Sequence, residues 1–395
     1  MARSPSSPRL AAAPLLVSLA ALAGAAPAQQ PAAKARPDQV FVAARRGGEV
    51  SPVNGIVQKN ELDGVVVTVD GKDVSYDADR VQRIVWGEVP DPFREGQAWS
   101  ERKDWEHAAA SFRLAAGDES ARAPVKAAAR LAAAEALLHW GEKEPARFAE
   151  AAEEARRFVT DFPKNRELLK ARMVEARATL LSGKAAEAGA LYRTIYSDCG
   201  GDKVPAGYDR LGCLEAGLYA ARALLMAKDT LAAREVYASL PGKASAAAAE
   251  VPPGDPLRAR LGAIGDEASL GEGFAELAAG NAKQAALFFR PKVEGGGTQA
   301  SEALRFGATL GLAEALLAEG KAREAQFLFA RISALDYTDR DRVARALVRM
   351  AEAAKALADP DYKKQAQAWL GDVLERFGDT PWAGRARELL NEIGK

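Results

Sequence analysis

Two patterns of apolar positions divide the chain. From Phe93 to Lys395 the apolar residues, mostly alanine and leucine among interleaved charges, read as packed helices separated by turns carrying Gly, Asp or Pro. Such a composition favours helix, and small side chains let helix backbones approach closely. Between Asp38 and Gly87 the pattern is that of strands. Runs at Gln39 to Val42, Asn54 to Val57, Val65 to Val69, Asp73 to Tyr76 and Val81 to Trp86 are separated by turns at Arg46 to Glu49, Asp63-Gly64 and Asp70-Gly71. Five short strands in so short a segment predict a small barrel over residues 38–88. Val89-Pro90-Asp91-Pro92 breaks the chain before the helices begin.

Within the helical region a motif recurs. A small residue is followed by a large one three positions on, then a Gly or polar turn, then an alanine, then an aromatic. The copies are Gly96, Trp99, Lys103, Ala108, Phe112; Ala176, Thr179, Gly183, Ala188, Tyr192; Ala221, Leu224, Lys228, Ala233, Tyr237; Gly273, Glu276, Gly280, Ala285, Phe289; and Ala313, Leu316, Gly320, Ala325, Phe329. The first small residue suits a helix crossing. The turn glycines suit a positive φ at the end of the first helix. The alanine packs on the first helix, and the aromatic fills the gap to the next unit. This spacing resembles the tetratricopeptide repeat. Two degenerate units, around Ala127 to Asn165 and from Val343 to Lys395, bring the total to about seven over residues 93–395.

The resemblance implies a mainly α fold, an αα-superhelix whose first helices line a concave groove. The strand segment resembles SH3-like or Sm-like barrels. The aromatics are spaced more widely and less evenly than in the family, which predicts longer loops at Gly117 to Pro124, Ser197 to Asp209, Pro241 to Pro256 and Pro291 to Ala300. The Pro252-Pro253-Gly254-Asp255-Pro256 stretch reads as exposed, and the alanine run before it as low complexity rather than helix.

The N-terminus reads as a leader. Arg3 and Arg9 precede an apolar core from Leu10 to Ala23, and Ala26-Pro27-Ala28 has the form of a cleavage site. Residues 1–28 are therefore expected to be a signal peptide, and 29–37 a linker. The expected location is the periplasm or the extracellular space. The apolar core is shorter than the ~20 residues a membrane span needs, so no span is expected after cleavage. Lys plus Arg equal Asp plus Glu at 54 each. That balance argues against nucleic acid, which selects a basic face.

Catalytic and metal patterns are missing from the sequence. His107 and His139 each lie inside a predicted helix, without a ligand partner at zinc spacing. Ser182-Gly183-Lys184 and Glu319-Gly320-Lys321 lack the rest of a phosphate loop. Asp70, Asp73, Asp77 and Asp79 lack calcium-loop spacing. No cofactor, no metal and no catalytic activity are expected.

The expected function is therefore a scaffold that binds a protein or peptide. In the repeat register, the groove positions next to the crossing residue are Gln97, Arg177, Arg222, Phe274 and Glu314. Arg177 and Arg222 suit the acidic tail or terminal carboxylate of a partner; equally, they suit ordinary surface charges paired with a neighbouring Glu. A second reading is a structural or oligomerising part of an envelope assembly. Cys199 and Cys213 either form a disulfide in an oxidising compartment or pack as two small thiols.

Overall fold

The computed structural model describes residues 36–44, 48–199, 204–295, 301–358 and 360–394. The leader, and the linker up to residue 35, lie outside them. Five antiparallel strands come first: β1 (Asp38–Ala43), β2 (Val50–Asn60), β3 (Val65–Val69), β4 (Lys72–Tyr76) and β5 (Val81–Val85). Their order is β4-β3-β2-β1-β5. Asp70 and Gly71 both take positive φ, as the two-residue hairpin between β3 and β4 requires.

β2 feeds two ladders. Its first half pairs with β1, its second half with β3, and the register shifts between Val57 and Lys59. The second strand is longer than the expected Asn54 to Val57 at both ends and runs through Pro52. The proline is tolerated here because this half of β2 has one neighbour, so the missing N–H interrupts no second ladder. The expected barrel is not closed by hydrogen bonds among the described strands: β4 and β5 are the edges. β4 is almost wholly exposed and has no buried face with which to close one. Val40, Val42, Val57, Val65, Val67 and Val81 form the core of the sheet.

Sixteen helices follow in the described residues. Seven pairs correspond to the seven expected units: α1 (Asp91–Glu101) with α2 (Trp105–Gly117), α3 (Ala123–Gly141) with α4 (Arg147–Asp161), and α5 (Leu168–Leu181) with α6 (Ala185–Asp198). Next come α7 (Arg210–Met226) with α8 (Thr230–Ala249), and α10 (Gly271–Ala278) with α11 (Ala282–Glu294), with α9 (Pro256–Ala268) between these two pairs. The last are α12 (Glu302–Ala318) with α13 (Ala322–Leu335), and α14 (Arg340–Leu357) with α15 (Tyr362–Arg376), closed by α16 (Trp382–Ile393). Apart from α10, which packs on α8 as much as on α11, each helix packs mainly on its sequence neighbours, which makes the array a solenoid.

The repeat register holds in detail. Ala108, Ala188, Ala233, Ala285 and Ala325 are each 0% exposed. A Cβ on Gly273 would stand 2.5 Å from the Phe289 ring, so only glycine fits that crossing. Gly183, Gly280 and Gly320 take positive φ at the turn. So do Lys103 and Lys228, which occupy the same position in their units. The turn is thus imposed by packing, even where the residue resists it.

The expectation for Pro241 to Pro256 is corrected. α8 continues through Pro241 to Ala249. Ala244 and Ala247 are buried in one cluster with Leu261 and Ile264 of α9. The alanine run is helix because an additional helix covers it, and that helix lengthens the spacing between Tyr237 and Phe289. Likewise α11 runs through Pro291 to Glu294; residues 296–300 of that expected loop lie outside the described residues.

Two contacts shape the array. The sheet is anchored by Arg122, which donates from both Nη atoms to the buried Asp38 carboxylate at 2.8 Å and from Nη1 to the Val57 carbonyl. Arg166 adds bonds to the Asn60 side chain and the Val81 carbonyl. At the other end the array curls back on itself. Arg387 donates to the Glu142 carbonyl at 2.9 Å, and Asp379 accepts from both Arg177 and Arg340. The last unit therefore touches the second and third.

Candidate functional site

Inside this curl, the first helices of units four to seven enclose a cavity of about 530 Å³. α7 contributes Arg222, Leu225 and Met226; α12 contributes Leu310, Glu314 and Leu317. Arg222, Phe274 and Glu314, three of the five groove positions named from the register, face it together. Gln97 and Arg177 do not. Gln97 is exposed on α1, and Arg177 is spent on the closing contact with Asp379.

The cavity has an apolar floor and a charged wall. At one end Glu314 receives two bonds from Arg345, at 2.6 and 2.5 Å, and a third from Arg349 at 3.1 Å. Arg345 lies over the rings of Phe274 and Trp382, and Arg349 over Trp382. Burial works to raise the Glu314 carboxyl, but the two arginines outweigh it and hold it below the usual range. Arg349 also binds Glu352 at 2.6 Å. This end is balanced and locked.

At the other end a charge network surrounds Arg222 and Arg342, which pair with Glu267, Asp336, Asp339 and Asp341, and Arg345 adds a third positive charge near Asp341. Arg222 donates to Glu267 at 2.7 Å and to Asp339 at 2.6 Å, and lies only 3.6 Å from Asp341. Arg342 is taken by Asp336 and Thr338. Asp339 caps α14 by accepting from the Asp341 and Arg342 amides. Burial acts to raise the Asp339 carboxyl, yet Arg222 and Arg342 hold it well below its ordinary value. Asp341 comes off worst. Burial lifts its carboxyl to about 6, Arg222 and Arg345 offset part of that, and Asp339 and Glu267 add repulsion. Its Oδ1 atom lies out of solvent and accepts no hydrogen bond.

Of the two readings of these arginines, pairing with carboxylates of this chain is the one the structure realises. Arg177 and Arg222 are both engaged by carboxylates of this chain, so Arg222 in particular offers no unspent guanidinium to an incoming acid. The register found the positions on the first helices. It did not place at the cavity Tyr237 of α8, Glu267 of α9, Asp341 and Arg345 of α14, or Trp382 of α16. The Asp339-x-Asp341-Arg342 cap was the available local signal.

No described helix is long and apolar enough to cross a membrane. Among the described residues no group of three His, Cys, Asp or Glu is placed to hold a metal ion. No protein-family model matches the chain, and no curated protein does. Among solved structures, the chain is similar to a tetratricopeptide repeat protein from Parabacteroides merdae. The two are 14% identical, and the match covers 77% of this chain and 98% of that one with a TM-score of 0.46. The assignment of a helical-repeat solenoid rests on the helix pairs themselves.

Proposed function

We propose that this protein is an exported scaffold that binds another protein in the cavity on the inner face of its helical array, without catalysis. The observation that carries the reading is the cavity itself, formed where four units turn their first helices toward one another. Its apolar floor suits side chains of a partner, and the locked ion pairs around it suit a preformed wall. Export is supported by the leader sequence. It is supported also by the Cys199–Cys213 disulfide, with Cα atoms 5.9 Å apart, since such bonds persist in oxidising compartments.

A photo-crosslinking residue at Met226, on the cavity rim, should capture a protein from envelope extract. The same residue at Leu231, exposed on α8 away from the cavity, should not. Equal capture at both positions, or none at Met226, would overturn the reading. N-terminal sequencing of the secreted protein should begin at Gln29; an intact Met1 would count against export.

A further inference from the structure

The last unit meets the array a second time, far from its own place in the chain. Arg177 of α5 donates from Nη2 to the Asp379 carboxylate at 2.9 Å and to the Asp379 carbonyl at 3.2 Å, across 202 residues. Arg387 of α16 donates to the Glu142 carbonyl at 2.9 Å, across 245 residues. This seam is polar and wet: the Arg177 side chain is 46% exposed and that of Asp379 23%. No apolar cluster among the described residues crosses it. Phe377, Ala386, Leu389 and Ile393 pack with units five to seven, whereas Ala178 packs with units one and two. Partly exposed ion pairs contribute little and are screened by salt, so a seam of this composition is the weakest joint of the array.

The seam and the cavity meet in the first turn of α14. Arg340 donates to Asp379 at 2.8 Å. Its neighbours Asp339 and Asp341 pair instead with Arg222 of α7, at 2.6 and 3.6 Å. Trp382, three residues beyond Asp379, lines the cavity beneath Arg345 and Arg349. One rigid piece, α14 to α16, therefore carries the seam on its outer side and a wall of the cavity on its inner side.

We propose that the seam is a latch: unit seven turns about the first turn of α14, held on α7 by the buried Arg222 pairs, and release of Asp379 and Arg387 swings Trp382 outward and widens the cavity. Such hinge motion needs only small rotations shared among successive units. The latch concerns the array alone and does not depend on what the cavity holds.

The test uses the full mature chain with its disulfide intact. Spin labels at Lys143, in the turn after α3, and at Asn391 on α16, both exposed, report the seam. Labels at Met226 and Asn391 report the cavity, and labels at Lys143 and Lys184 serve as a reference within units two and three. Pulsed dipolar spectroscopy reads each separation. At about 0.01 M salt the seam pair should give one narrow distribution. A second, longer component should appear at about 1 M salt, where the screening length falls to ~3 Å. It should appear at low salt in Arg177→Gln with Arg387→Gln, and less in Arg177→Lys with Arg387→Lys, which keep the charges. The cavity pair should lengthen together with the seam pair, and the reference pair should not change. A seam distance that is the same under all these conditions, or a reference pair that lengthens equally, would overturn the latch. A seam that opens while Met226 to Asn391 stays fixed would overturn its link to the cavity. The salt series needs no substitution, so a variant that fails to fold leaves the outcome decidable.

Discussion

Two aspartates, one buried and one half-buried, show how differently one fold can treat the same group. Asp38, at the start of β1, is 0% exposed. Its oxygens receive Arg122 through both terminal nitrogens and the amides of Val57 and Gly87. Asp341, at the start of α14, has Arg222 at 3.6 Å and one oxygen with nothing. The first is a fully bonded anchor that joins sheet to helices. The second is left short at the mouth of a cavity. A charge surrounded by donors holds the fold together; a charge deprived of them weakens it.

The strongest way to break this contrast is to strip the anchor. Arg122→Ala leaves the Asp38 carboxylate buried with only two amide donors, and should destabilise the sheet by about 3–5 kcal/mol. Hydrogen exchange at the Val57 amide measures it. Unchanged protection there would mean that Asp38 is not the anchor.

Overpacking gives a reference that involves no charge. Ala325→Phe forces a ring into a helix crossing where the alanine is 0% exposed, at a cost of about 1–3 kcal/mol. Chemical denaturation that leaves the midpoint in place would remove the repeat register on which the groove positions depend.

Asp341→Asn should go the other way. The Asp341 carboxyl is lifted from 3.8 to about 6 in the fold, so it holds its proton more tightly folded than unfolded. Its ionisation therefore destabilises the fold, beginning as pH rises past about 4 and complete above about 6. The variant should melt higher than the parent at about pH 7.5, and the gap should close as pH falls toward about 4. A variant less stable at the higher pH would make Asp341 another anchor and end the comparison.

The smallest effect lies in the turns. Lys228 holds φ +62° where other units use glycine. Lys228→Gly should stabilise by roughly 0.5–1 kcal/mol, because relief of left-handed strain exceeds the entropy glycine adds to the unfolded chain. Thermal melting decides the sign.

Much of this molecule is legible in its sequence, and for local reasons. Five of the seven helix pairs follow from alanines, aromatics and turn residues whose spacing lies within one unit. The five strands follow from apolar runs and the Asp70-Gly71 turn. Where sequence and fold part company, a local signal is overridden. Pro52, Pro241 and Pro291 look like breaks, yet one sits where a strand lacks a second neighbour and the others inside helices, one of which a further helix covers.

The groove positions can be named because repeat register fixes which side of a first helix faces inward. That is why Arg222, Phe274 and Glu314 emerge together from sequence alone. What they face depends on how far seven units turn, a sum of small rotations that no single motif encodes. Only the tertiary structure could bring Asp379 to Arg177, Arg345 to Glu314, and three further carboxylates to Arg222. It turned two equivalent arginines into a surface latch and a buried tie. The charge left over, on Asp341, is a difference between many paired groups, and such a difference exists only once all of them are in place.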